Sequence, residues 1–303
     1  MSAGVHLREA EPDDYDDVVA FTSETWADRE TSDYLPDVYH DWIAGDPDRK
    51  RTLVADAGDD IAGLCQVVFL SDHEAWAQGM RVNPAYRGEG IGVRLNDALF
   101  TWAREQGATV CRNMVFSWNV AGLGISRAAG YDPRTEFRWA RPEPDTVDDT
   151  DDHEIVSDPD AAWSFWQRST ARRDLADLTL AMDESWAVSE LTRETLHRAA
   201  EETRAFAVKR PDEGTRAMAY RTRDFEYGDG DEAERVAEYG VGAWADLDAA
   251  RALFGAIGAD AADLGADRTR VLIPETVTAV SDVAALRIGV SEEPDFVLEA
   301  DLT

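Results

Sequence analysis

Apolar positions in the first half of the chain switch between alternating and helical spacing, and the switches predict an order of elements. Val5-His6-Leu7-Arg8 reads as a short strand. Pro12-Asp13-Asp14 opens a helix carrying Val18, Val19 and Phe21, with acids at the end where the macrodipole favours them. Residues 24–42 are aromatic-rich helix or loop. The apolar runs 51–56 and 61–70 flank the turn Gly58-Asp59-Asp60 and form a hairpin, and 75–82 is a further strand. After a glycine-bearing turn, Leu95, Ala98, Leu99 and Trp102 share one helix face, and Gly107 stops that helix. A strand over 110–118, a helix over 119–129 ending at Gly130, and a strand over 137–140 complete the order β-α-α-β-β-β-α-β-α-β.

The turn carries the first chemistry. Met80-Arg81-Val82-Asn83-Pro84-Ala85-Tyr86-Arg87-Gly88-Glu89-Gly90-Ile91-Gly92 places glycines at 88, 90 and 92 directly before a helix. A helix N-terminus offers unpaired N–H groups and the positive end of the dipole, and glycine lets the backbone close on an anion, so the segment suits a phosphate or pyrophosphate. Gly92-Val93-Arg94 stands where the Walker pattern requires Gly-Lys-Ser/Thr. The dinucleotide fingerprint fails too, because its third glycine falls on Val93 or Leu95. What fits is R-x-x-G-x-G, met by Arg87, Gly90 and Gly92 after Val82-x-Pro84. The plain alternative is a glycine turn that only caps a helix.

The motif and its place between the fourth strand and the next helix resemble the acetyl-CoA loop of the GNAT acetyltransferase superfamily, over about residues 4–142. Asn119, Gly130 and Tyr131 match a second segment of that family in spacing. The resemblance implies a mixed-sheet α+β fold with acetyl-CoA as cosubstrate. It also implies cofactor contacts from Met80, Arg81, Val82, Arg87, Gly88, Glu89, Gly90, Ile91 and Gly92. Asn119 either bonds the cofactor or caps its helix, and Gly130 reads as a C-cap. Tyr131 reads as core. Ser126 occupies the position where the family commonly has a proton-donating tyrosine, so it is the candidate acid, or else it only packs. Gln78 stands where a basic glutamate is commonly found and cannot take up a proton. Just upstream, Asp72, His73 and Glu74 offer alternatives, of which Glu74 is the candidate base; its competing reading is a solvated acid. Trp26, Tyr34, Tyr39 and Trp42 are candidates for an acceptor pocket or for core.

Composition narrows the partners. The net charge is −32, and Lys50 and Lys209 are the only lysines. This resembles proteins of salt-in halophiles, in which molar salt screens repulsion to a few ångström. It argues against nucleic acid and against anionic membranes. Ten tryptophans and 44% hydrophobic residues argue against disorder. Cys65 and Cys111 lie in apolar runs and read as reduced, buried thiols of a cytoplasmic protein. No secretory or membrane-spanning segment is evident. His6, His40, His73, His153 and His197 are scattered without ligand spacing, so no metal is expected.

Residues 143–154 are rich in proline and acid and read as a linker between domains over 1–142 and 155–303. Beyond it the order recurs. Helices are predicted over 161–173 and 192–203, strands over 204–209, 217–223 and 235–244, a helix over 247–257, a strand over 270–273, a helix to Leu286 and a strand over 296–298. The glycine loop has no counterpart, since Gly240-Val241-Gly242-Ala243-Trp244-Ala245-Asp246 puts an aromatic and an acid at the equivalent place. The second half thus reads as a degenerate GNAT-like domain or an unrelated α+β domain. The whole reads as an acetyl-CoA-dependent N-acetyltransferase acting on a small-molecule or peptide primary amine. The competing reading is a non-catalytic acyl-CoA sensor. Oligomeric state is open, with a homodimer one option.

Overall fold

The computed structural model describes residues 4–23, 25, 33–145, 152–228 and 233–303. In chain order the first elements are β1 (His6–Glu9), α1 (Tyr15–Thr22), α2 (Leu35–Ile43), β2 (Lys50–Asp56), β3 (Ile61–Phe69), β4 (Glu74–Val82), α3 (Ile91–Glu105), β5 (Val110–Phe116), α4 (Val120–Ala128) and β6 (Asp132–Arg141). Then follow β7 (Glu154–Val156), α5 (Pro159–Trp166), α6 (Thr170–Asp174), β8 (Leu178–Leu180), β9 (Val188–Glu190), α7 (Arg193–Glu202), β10 (Arg204–Arg210), β11 (Gly214–Tyr227) and β12 (Glu234–Trp244). The chain ends with α8 (Leu247–Asp263), β13 (Arg268–Pro274), α9 (Val277–Ala285), β14 (Gly289–Val290) and β15 (Asp295–Asp301). The element order predicted for the first half is the order found. Of the aromatic-rich stretch 24–42, α2 is the described helix, and Trp26 lies outside the described residues.

The chain divides into two compact units, Met1–Pro133 with Val297–Thr303, and Arg134–Phe296. This differs from the boundaries at 142 and 155 expected from the linker composition. The strand after α4 belongs to the second unit, and the chain's last residues return to the first. Periodicity marks β6 and β15 as strands but says nothing of which sheet takes them. Before Asp145, the linker stretch is packed: a side chain at Gly258 of α8 would lie 2.9 Å from the Glu143 carbonyl oxygen.

In the first unit the strand order is β1-β2-β3-β4-β5-β15. The pairs β1–β2, β2–β3 and β3–β4 are antiparallel, while β4 and β5 are parallel. Nearly every residue of β3 is buried because helices cover both faces. Leu64 clusters with Val18, Phe21, Leu35 and Tyr39 of α1 and α2. On the other face, a side chain at Gly63 would meet Ile91 and Leu95 of α3 at 3.1 and 3.2 Å. Gly107 and Gly130 end α3 and α4 with φ of 100° and 98°; the N–H of each following residue reaches back to close the last turn, Ala108 to Ala103 and Tyr131 to Ser126.

The second unit has the order β6-β13-β12-β11-β10-β7, with β14 also beside β6. Its pairings repeat those of the first unit. The run β7, β10, β11, β12 is antiparallel, and β12 and β13 are parallel. Helix α8 joins the parallel pair as α3 joins β4 and β5, and α9 follows β13 as α4 follows β5. Ala250, Leu253, Phe254 and Ile257 of α8 are buried in the core of this unit, on the face predicted from their spacing. The ribbon of β8 and β9, and the edge strand β7, were not signalled by the sequence pattern; each is a run of three residues, too short to show a period.

Candidate functional site

The site begins where two paired strands part. Strands β4 and β5 pair from Glu74↔Val110 to Trp76↔Arg112 and no further, so beyond Trp76 the backbone of β4 is turned away from β5. Against β3, the register moves from Gln66↔Gln78 to Leu64↔Arg81, so Gly79 and Met80 form a bulge. Gly79 has φ of 63°, and the Trp42 ring of α2 lies where its side chain would be. Both features require glycine, and neither is visible in the local sequence.

Past Val82 the chain makes a turn that begins on a side-chain anchor. Asn83 is 8% exposed, accepts from the Ala85 N–H at 3.0 Å and donates to the Ile61 carbonyl at 3.0 Å. An Asn-Pro pair is a turn signal that could have identified it. Gly88 and Gly90 follow with φ of 82° and 77°, and nothing lies within 4 Å of where a side chain would stand at either. Gly90 is the N-cap of α3 with no side-chain cap, and the first bond of the helical ladder runs from the Arg94 N–H to the Gly90 carbonyl. The N–H groups ahead of Arg94 therefore face outward over glycine backbone, the arrangement that receives an anion. Arg87 is exposed beside them.

Gly92 has a different task from its two neighbours. A side chain there would lie 2.9 Å from Ile125 of α4, so this glycine sets the close approach of α3 and α4. Its backbone N–H remains in the first turn of α3, so Gly92 adds a packing role to the one expected of it. Next to Ile125, Ser126 is 4% exposed, and its Oγ accepts from the Asn113 amide of β5 at 2.9 Å. Asn119 caps α4 by accepting from the Gly122 N–H at 2.9 Å, and a side chain at Gly122 would crowd that cap.

Other predicted residues lie elsewhere. Glu74 is 3% exposed and bonds Arg112 at 2.5 Å, while Arg112 also bonds Glu299 at 2.6 Å. It begins β4 inside the part of the strand that is paired with β5, and its carboxylate is taken up by Arg112 of that neighbour. The reading of Glu74 as a base is therefore corrected: it is buried and tied to Arg112 within the sheet, and Asp72 and His73 are exposed just before it. Tyr39 is fully buried, donating to the Glu11 carbonyl at 2.6 Å, and so is core rather than pocket wall. Tyr34 is exposed and lies under the Arg81 guanidinium, 5.5 Å from its ring centre. Arg81 also holds Asp33 at 2.7 Å, which ties the start of α2 to the end of β4. That pair was missed because its members are far apart in the chain.

Tyr131 is buried against Phe100, and its hydroxyl is 3.5 Å from Cys111 Sγ. Burial pushes the Cys111 thiol up to about 12 and the Cys65 thiol higher still, so neither is a thiolate nucleophile at neutral pH. Among the described residues no three His, Cys, Asp or Glu side chains are placed to hold a metal ion, and no helix is long and apolar enough to cross a membrane.

The corresponding point of the second unit is closed. Strand β12 is bulged at Gly240, where a side chain would overlap the Tyr220 ring. Residues 245–246 then lead straight into α8, and Asp246 caps it by accepting from the Ala249 N–H at 2.9 Å. Burial raises the Asp246 carboxyl, but hydrogen bonds from Arg216 and that N–H outweigh it and hold the group below the usual carboxylate range. A fixed carboxylate thus sits on the helix end that α3 leaves open.

A parallel pair that parts, a bulge at the parting and a glycine turn on the next helix set an anion-receiving helix end beside unpaired strand backbone in an α+β domain. Residues 15–130 match the acetyltransferase (GNAT) family, whose general chemistry is acyl transfer. Solved structures of this fold cover nearly the whole chain. A GCN5-related N-acetyltransferase from Sphaerobacter thermophilus is 13% identical with a TM-score of 0.64, covering 98% of this chain and 96% of its own. A putative acetyltransferase from Thermoplasma acidophilum is 16% identical with a TM-score of 0.58, over 98% and 99%. One from Pyrococcus horikoshii is 15% identical with a TM-score of 0.54, over 98% and 89%. No curated protein matches the chain.

Proposed function

We propose that the protein is an acetyl-CoA-dependent N-acetyltransferase that passes the acetyl group to a primary amine by direct attack. The uncapped N-terminus of α3 behind Gly88 and Gly90 carries this reading. Backbone N–H groups of residues 87–92 would hold the pyrophosphate, with Arg87 adding charge. The backbone of Met80, Arg81 and Val82, freed from β5, would pair with the pantetheine arm. A backbone N–H near the bulge would polarise the thioester carbonyl. Asn119 is spent on capping α4, so its contribution to the cofactor would come through placing that helix. Ser126 would donate to the departing thiolate only by breaking from Asn113. Placement of a neutral amine against the thioester supplies much of the rate without either group. The second unit is a degenerate copy that holds no CoA, because Asp246 fills its helix end.

Calorimetric titration of acetyl-CoA at molar salt tests the reading. Gly90→Asp would place a carboxylate on α3 as Asp246 does on α8, in a backbone conformation that Asp and Asn both tolerate better than most residues. We expect wild-type binding, a loss of at least tenfold in Gly90→Asp and a smaller loss in Gly90→Asn. Equal affinity in all three would remove the loop from the site. Gln78, which cannot accept a proton, favours the second reading of a non-catalytic acyl-CoA sensor. That reading predicts the same binding with no turnover on any amine.

A further inference from the structure

Arg81 follows the bulge at Gly79 and Met80 and joins that bulge to the start of α2. Its Nε donates to Asp33 Oδ2 at 2.7 Å and its Nη2 to Asp33 Oδ1 at 3.2 Å. Two bonds from one planar fork fix a guanidinium in direction as well as in place. Asp33 is itself held: its side chain is 1% exposed, and Oδ1 also accepts from the Leu35 N–H at 3.1 Å. The remaining nitrogen of Arg81, Nη1, donates to the Met80 carbonyl at 3.1 Å. A peptide carbonyl of the bulge is thus bonded to a cation whose place is set by a carboxylate 48 residues earlier in the chain. Beyond Trp76, β4 has no pairing with β5, so the bulge stands at the open edge of the strand. There an N–H group favours a developing oxyanion, whereas a bare carbonyl turns the negative end of its dipole on it.

We infer that Arg81 and Asp33 are positioning residues for acyl transfer: they hold the Met80 carbonyl on the guanidinium, so that the bulge meets the thioester as a donor with a cation behind it. The inference rests on the acetyl-CoA reading above. As an amine adds to the thioester carbon and forms the C–N bond, the carbonyl π pair moves onto oxygen. It returns when the C–S bond breaks with its own pair on sulfur, and the proton lost by nitrogen passes to the thiolate or to water. A backbone N–H of the bulge answers the charge on oxygen. Arg81 acts through the Met80 carbonyl it bonds and touches neither substrate, and Asp33 acts through Arg81. Removing the guanidinium frees an acceptor at the bulge and takes away the cation, while the anion-receiving turn over residues 83–90 keeps its own anchor at Asn83. Polarisation of the thioester and affinity for the cofactor are therefore separable.

The test is isotope-edited infrared spectroscopy of bound acetyl-CoA, labelled with carbon-13 at the acetyl carbonyl, at molar KCl, beside calorimetric affinity and circular dichroism. The carbonyl stretch falls in frequency as the bond is polarised, and it reads the bulge whether or not an amine is turned over. Removing one partner would strand a buried charge, so the first variant removes both, Arg81→Met with Asp33→Asn; asparagine keeps an oxygen for the Leu35 N–H. The second, Arg81→Lys, keeps a cation for Asp33 and lacks the separate nitrogen that serves Met80. In wild type the bound stretch should lie below that of free acetyl-CoA. In each variant that shift should shrink by at least half, while the acetyl-CoA Kd changes less than threefold. With any amine that wild type acetylates, kcat should fall at least tenfold at unchanged amine KM. No shift in wild type, or a shift reduced by less than half in either folded variant, would overturn the assignment. A larger loss of affinity would overturn it too, by making the pair part of binding. If the double variant does not fold, Arg81→Lys decides alone. If wild type binds no acetyl-CoA, the underlying reading fails; if it binds and the shift ignores Arg81, only this assignment fails.

Discussion

Gly79 offers the sharpest test of how the site is built. Gly79→Ala meets two obstacles: a left-handed φ of 63° and the ring of Trp42 in the space a Cβ would need. The backbone conformation costs about 1–2 kcal/mol for a residue with a Cβ. Overlap with a packed ring costs about 1–3 kcal/mol more. Gly90 supplies the control, since its φ of 77° imposes the first obstacle while open space removes the second. Replacing glycine also restricts the unfolded chain, which returns about 0.4–1 kcal/mol in both variants and cancels in their comparison. The difference between Gly79→Ala and Gly90→Ala is therefore the overlap alone, about 1–3 kcal/mol. Urea unfolding at molar salt, followed by circular dichroism, measures it. Trp42→Leu in the Gly79→Ala background should recover most of the difference, a coupling expected for touching residues. If the two alanine variants are equally stable, or if shortening Trp42 recovers nothing, the ring does not fix the bulge.

Arg112→Met should destabilise the protein by about 3–5 kcal/mol, because it strands Glu74 at 3% exposure, and should leave the pH profile of turnover unchanged; a displaced profile would restore Glu74 to the chemistry. Asp246→Ala should lower stability by about 1 kcal/mol through loss of the α8 cap without creating a second acetyl-CoA site, as read by unfolding and by calorimetric stoichiometry. Asp295 is 6% exposed and burial raises its carboxyl to about 6, with the Trp139 indole N–H opposing. The folded state therefore binds the proton more tightly than the unfolded one, so this group costs stability above pH 6 and the cost is relieved as pH falls from 6 toward 4. The full effect is about 3 kcal/mol, and Asp295→Asn should be more stable than wild type at pH 7 with the two converging near pH 4.

What the sequence disclosed and what it hid divide by the range of the interactions concerned. The turn after β4 was legible because Asn83, Pro84, Gly88 and Gly90 act on their immediate neighbours. So were the helix stops at Gly107 and Gly130, and the acid of Asp246 before α8. Glu74 was misread because its meaning comes from Arg112 and Glu299, which only the folded sheet brings to it. The packing role of Gly92 was hidden because a glycine that admits Ile125 looks, in sequence, like one that only opens a loop. Gly79 gave no signal, since its constraint is imposed by Trp42 from α2. The places of β6 and β15 were equally silent, because alternation identifies a strand and leaves its partner open.

The two helices α3 and α8 show how little need change for a fold to keep or lose an anion site. Each joins the members of a parallel strand pair, each packs an apolar face on its sheet, and each follows a strand that bulges at a glycine overlapped by an aromatic ring, Trp42 over Gly79 and Tyr220 over Gly240. The bulge and its ring are thus retained in the unit that has no glycine turn, so they hold the strand in shape in both units. What separates the units is the connection into the helix. Residues 83–90 form a turn whose last glycine leaves the first N–H groups of α3 without a side-chain cap. Residues 245–246 bring an aspartate onto the first N–H groups of α8, with Arg216 paired to its other oxygen. A buried helix end requires some acceptor, and a carboxylate within the chain satisfies the same dipole and N–H groups that a phosphate would. Opening that end by Asp246→Gly alone would leave Arg216 and Glu213 beside it and no turn to approach over, so affinity for acetyl-CoA should not appear; closing α3 by Gly90→Asp should suffice to abolish it. That asymmetry, loss by one substitution and no gain by its reverse, is what the length of the connection predicts, and a gain of binding in Asp246→Gly would place the determinant in the cap instead.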